Sequence, residues 1–140
     1  MNKQLFQLAC LQFLKIPYMW GGDDPIKGFD CSGLVQELLS MIGLDPIGDQ
    51  TAQGLFDYFK ENSKEGPRDT GTLCFYGASL QKITHVALML DTVTIIEAGG
   101  GGSKTTTPEA AAAQNAYVRL RPFNHRKDLV ALVNPKGILW

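Results

Sequence analysis

Apolar side chains recur between residues 3 and 15 at Phe6, Cys10, Phe13 and Leu14, with Leu5, Leu8 and Ala9 beside them. That spacing predicts a helix with a wide buried face, ended by Pro17. The stretch from Tyr18 to Phe29 is rich in Gly, Asp and Pro and predicts a loop. From about Cys31 onward, Leu34, Val35, Leu38, Leu39 and Ile42 share one broad face, which predicts a second helix with Gly43 as its stop. Thr51 is a good N-cap for a third helix through Leu55, Phe56 and Phe59.

The pattern then changes. Thr72 to Tyr76, Ile83 to Leu90, Val93 to Ala98, Tyr117 to Leu120 and Leu129 to Val133 are short β-prone runs separated by turn residues. Ala110 to Ala113 is enough for one or two helical turns. Helices first and strands afterward predict an α+β domain, with N-terminal helices packed on one face of a central antiparallel sheet. No repeat or linker breaks the chain, so residues 1–140 are expected to form a single domain.

Composition changes little in this picture. The chain has 140 residues, a net charge of -1 and 19% charged residues, which gives no reason to expect nucleic acid or a membrane surface as partner. Three cysteines, Cys10, Cys31 and Cys74, are an odd number without short metal-ligand spacing. Neither a disulfide framework nor a zinc site is expected, and no metal or cofactor is called for. The N-terminus carries Gln4, Gln7 and Gln12 through its apolar run, so no signal peptide is read there. Synthesis in a reducing cytoplasm is the expectation.

Chemistry enters at Phe29-Asp30-Cys31-Ser32-Gly33-Leu34-Val35, where a cysteine stands at a loop-to-helix junction. The helix dipole and free N–H groups there favour a thiolate, and the same N–H groups can stabilise an oxyanion. A buried structural cysteine is the plain alternative. His85 sits in Ile83–Leu90, on the strand face shared with Ala87 and Met89. If a three-residue loop, Leu90 to Thr92, pairs Met89 with Val93, then His85 pairs with Glu97 on the same face. Glu97 could then orient the imidazole while its other nitrogen meets a thiol. The alternative is a core histidine beside a chance carboxylate.

Together Pro17-Tyr18-Met19-Trp20-Gly21-Gly22, the Asp30-Cys31-Ser32-Gly33 run and Thr84-His85-Val86-Ala87 resemble the NlpC-type cell-wall peptidases, papain-like cysteine enzymes of bacteria and their phages. The resemblance extends to about Ala98. It implies a papain-like fold and hydrolysis of a peptidoglycan stem peptide, at the bond between γ-D-glutamate and the following diamino acid. By that resemblance Cys31 is the nucleophile, His85 the base and Glu97 the third residue, and no cofactor is needed. The family usually has a histidine or an amide at the third position. A carboxylate there would raise the imidazole pKa. Tyr18, Asp30 and Ser32 match positions that line the substrate cleft and hold a free amino end, while helix capping and core packing are their structural alternatives. The usual Gly-Asp before the first core strand reads Gly71-Thr72.

The resemblance leaves two settings open. One is a phage enzyme, lytic or carried in a tail beside other virion proteins; the other is a cytoplasmic enzyme that recycles wall peptides. A thiol acyltransferase or amidase on the same scaffold, and a non-catalytic virion module, are the rival functions. The glycine run Gly99 to Ser103 reads as a mobile cleft edge or a plain connection. Trp20 is expected to brace the loop below the cysteine. Arg119, Arg121, His125, Arg126 and Lys127 are read as a solvated sheet face, and His125 receives no role.

Overall fold

A computed structural model describes residues 1–140. Four helices, α1 (Lys3–Leu11), α2 (Cys31–Ser40), α3 (Ala52–Phe59) and α4 (Pro108–Ala113), accompany seven strands. These are β1 (Asp23–Asp24), β2 (Gly28–Phe29), β3 (Leu73–Ser79), β4 (Lys82–Met89), β5 (Thr94–Gly99), β6 (Tyr117–Pro122) and β7 (Leu129–Val133). The five long strands form one sheet in the order β6-β5-β4-β3-β7, antiparallel at every pairing. The expected α+β arrangement is the one observed.

Pleating separates two apolar layers. Phe75, Val86, Leu88 and Ile96 face the helices and join Phe6, Leu34, Leu38, Leu55 and Phe59 in the main core. Cys74, Tyr76, Ala87, Met89 and Ile95 form a small second layer, roofed by Phe123 and Leu129. His85 and Glu97 belong by parity to this second face.

The first helix is shorter than the periodicity predicts, and only Phe6 and Cys10 are buried on it. After Leu11 the bonds tighten to i→i−3, and the Lys15 N–H turns instead to the Val118 carbonyl at 2.8 Å. Pairing with β6 therefore ends the helix before Pro17 can. Leu5 and Leu8 are left exposed. The segment read as a loop contains the β1–β2 pair, Asp23 against Phe29 and Asp24 against Gly28.

The β4–β5 register also departs from expectation. Leu88 pairs with Ile96 and Met89 with Ile95, and the Leu90 N–H donates to the Thr94 carbonyl. The three-residue loop is thus 91–93 rather than Leu90–Thr92. Asp91 sets it: its Oδ1 accepts from the Val93 and Thr94 N–H groups at 2.9 and 2.7 Å, an Asx turn. Glu97 is consequently two residues out of register with His85, not opposite it. A shift of two keeps both on one face. Beyond these two pairs β4 and β5 are not laddered, and His85 and Glu97 sit at that opened end.

Asp30 caps α2, with Oδ1 accepting from the Gly33 N–H at 2.7 Å. Gly33 also lets the Gly22 loop lie against the helix: a Cβ there would collide with the Gly22 carbonyl oxygen and crowd Asp30 Oδ1. Gly33→Ala is therefore expected to cost about 1–3 kcal/mol, the usual range for forced overpacking. A lowered urea midpoint at unchanged slope is the expected readout; an unchanged midpoint would mean the loop yields freely.

Candidate active site

Cys31, His85 and Glu97 border a single cavity of about 380 Å³, together with Tyr18 and Trp20 on one side and Gly99–Gly102 on another. The sulfur stands at the first residue of α2. Cys31 is half-buried, whereas Cys10 and Cys74 are fully enclosed. Burial pushes both of those thiols up to about 12.

His85 Nε2 lies 2.8 Å from Glu97 Oε1. The carboxylate is 1% exposed. Burial disfavours its charge, but hydrogen bonds and charge from His85, then Arg119 and His125, prevail and hold it down at about 2. Glu97 is therefore an acceptor only, so His85 carries its N–H on Nε2. Nδ1 is left for the thiol. Burial also pulls the imidazole pKa down, yet hydrogen bonding and charge from Cys31 and Glu97 outweigh it and raise it to about 9. The proton is at home on the ring, beside the sulfur.

Glu97 has a larger retinue than the sequence reading foresaw. Arg119 Nε donates to its second oxygen, Oε2, at 3.0 Å, because β6 pairs Arg119 directly with Glu97. The turn after β6 folds back over the second sheet face, with Tyr76 Oη donating to the Phe123 carbonyl at 2.6 Å. That turn brings His125 Nε2 to 3.4 Å from Glu97 Oε1. Arg126 binds Asp128 through two nitrogens and lies over the Tyr76 ring. These residues are not the solvated face expected of them: Arg119, His125 and Arg126 line the cavity. The alternation of β6 against β5 could have exposed Arg119; nothing local could have exposed His125.

The proposed substrate contacts divide. Tyr18 lines the cavity, its ring packed where a Cβ on Gly101 would otherwise sit. Burial, then the charges of Cys31 and Asp30, push its hydroxyl pKa up. Asp30 and Ser32 do not line the cavity. Ser32 is buried and its Oγ donates to Asp30 Oδ1 at 3.3 Å, while the Gly21 N–H donates to Oδ2. Burial raises the Asp30 pKa, against these bonds. Trp20 is not a buried brace: 54% exposed, it borders the cavity, while its main-chain N–H donates to the Thr105 carbonyl. The backbone of Gly99–Gly102 forms the facing wall.

Known proteins resemble this chain in sequence and in fold. The chain is 40% identical over 74 residues to the bifunctional muramidase/DL-endopeptidase CwlT of Bacillus subtilis (strain 168), an alignment covering 51% of this chain and 22% of that protein. An NlpC/P60 family protein of Bacillus cereus superposes with a TM-score of 0.73 at 16% identity, over 99% of this chain and 41% of the other. RipD of Mycobacterium tuberculosis, described as a non-catalytic NlpC/p60 domain protein adapted to peptidoglycan binding, superposes with a TM-score of 0.65 at 18% identity, over 96% and 97%. This chain thus spans about a fifth of CwlT and two fifths of the B. cereus protein. Residues 15–122 match the profile of the NlpC/P60 family. That span holds Tyr18, Cys31, His85, Glu97 and Arg119 and stops short of His125, and on its strength the chain belongs to the NlpC/P60 family.

Proposed function

We propose that this chain is a thiol peptidase acting on peptidoglycan stem peptides, cutting between γ-D-glutamate and the following diamino acid. The reading rests on one observation: a helix-terminal cysteine and a carboxylate-anchored imidazole share a cavity. The DL-endopeptidase activity named for CwlT supports the substrate class.

In the proposed reaction His85 Nδ1 already holds the proton of the Cys31 thiol and the sulfur attacks the scissile carbonyl carbon. At the start of α2 the Gly33 and Leu34 N–H groups are spent on Asp30. Those of Cys31 and Ser32 remain for the developing oxyanion. The tetrahedral adduct collapses with loss of the amine, which receives the proton from His85. Water, deprotonated by His85, then cleaves the thioester and returns the proton to sulfur. Tyr18 offers its hydroxyl from the cavity wall, while Asp30 and Ser32, which lie outside the cavity, serve the site through the cap of α2.

The test is mass spectrometry of digested peptidoglycan before and after treatment of the protein with iodoacetamide. Products should carry a new amino terminus on the diamino acid. Alkylation should end their formation and map to Cys31, sparing the enclosed Cys10 and Cys74. Equal labelling of all three thiols, or undiminished digestion after labelling, would sink the proposal and favour a binding module like RipD. Acyl transfer in place of hydrolysis would show as a different product mass.

A further inference from the structure

His125 Nε2 is buried and has no hydrogen-bond partner, although Glu97 Oε1 is 3.4 Å away. That oxygen already accepts from His85 Nε2 at 2.8 Å. Two imidazoles therefore converge on one carboxylate oxygen, with a guanidinium on the other. We propose that His125 is a positioning residue for the reaction above: through Glu97 Oε1 it fixes the orientation of His85.

The physical case begins with the orphaned nitrogen. A buried N–H without an acceptor is costly, and Oε1 is the acceptor on offer. With that contact Glu97 is held at three points, by His85, His125 and Arg119, and cannot swing away from the catalytic ring. The groups facing His125 come from every neighbouring element. Glu97 faces it from β5, His85 from β4, Tyr76 from β3 with ring centroids 6.3 Å apart, and Arg119 from β6, with Arg126 and Asp128 in its own turn. Arg126 is paired with Asp128 and Arg119 with Oε2, so Oε1 is the anionic oxygen for which the two histidines compete. Glu97 stays ionised throughout the working range. His85 is the nearer of the two to that oxygen, and a change at one ring is felt at the other through it.

The chain has only two histidines, so the His85 ring can be followed by long-range ¹H–¹⁵N correlation of the intact protein across pH. In His125→Phe the Oε1 oxygen is left to His85 alone, and the His85 midpoint should rise further. A midpoint unmoved by that change would overturn the proposal. For activity, His125→Phe should lower kcat about tenfold with little change in KM, the factor one hydrogen bond to a charged group supplies. His125→Gln, a neutral donor, should recover most of kcat and return the His85 midpoint toward that of wild type. A wild-type kcat and pH profile in His125→Phe would also overturn it. The inference rests on the proposed reaction, but the two fail separately. Absence of peptidoglycan cleavage by wild type would remove the reaction, while the titration still decides whether the rings are coupled.

Discussion

Cys31→Ala is expected to lower turnover of stem peptides by a factor on the order of 10⁶, the scale seen when a covalent nucleophile that works as one unit with its base is removed. The alanine leaves the cavity and the cap of α2 intact, because Asp30 Oδ1 and the Gly33 N–H make the cap without the thiol. Stability should therefore be nearly unchanged while chemistry disappears. His85→Ala should cost almost as much, since a thiol with no base beside it attacks slowly and the leaving amine finds no proton. The double variant should be no worse than either single one, because each removes the same step. Single-turnover kinetics on a purified muropeptide checks all three. Losses that multiply in the double variant would show that the two residues do not act together.

The second large effect concerns Glu97. Glu97→Ala strips the partner from a buried His85 and from Arg119 at once, and should destabilise the fold by about 3–5 kcal/mol. Urea unfolding reads this directly. The pH dependence follows from the same pair. The fold raises the His85 pKa from 6.5 to about 9, so its contribution is complete below pH 6.5 and is lost as pH rises through 9. The fold lowers Glu97 from 4.5 to about 2, so that contribution is complete above pH 4.5 and is lost as pH falls toward 2. Stability should peak between these limits, and Glu97→Gln should flatten both shoulders. The alkaline limb of kcat/KM should also move to lower pH in Glu97→Gln, because a neutral amide no longer favours the charged ring. A Glu97→Gln profile superposable on wild type would show that the carboxylate charge is idle.

What could be read in the chain beforehand divides by range. The start of α2 was legible because its signals are adjacent: a capping carboxylate, then Cys31, then a broad apolar face. The limits of β7 followed from composition alone. The meeting of His85 and Glu97 survived a wrong register because a period-two strand forgives a shift of two. Asp91 carries the turn chemistry that sets the register, an Asx turn onto Val93 and Thr94. The rest was out of reach for a physical reason. Lys15 ends α1 early by bonding Val118, a partner more than a hundred residues away. His125 reaches the site only because a turn folds back across the sheet. Trp20 reads as a brace for the loop below the cysteine, yet its ring borders the cavity and stands half exposed.

That wall, the main chain of Gly99–Gly102, has a bearing on selectivity. Polypeptide without side chains presents the same surface to every neighbour, so it can sense the outline and course of a bound strand but not the identity of its residues. Discrimination must come from the side chains that share the cavity, Tyr18 and Trp20 with Arg119, His125 and Arg126. A site so built tolerates chemical variety along the flank that meets main chain and reads the rest.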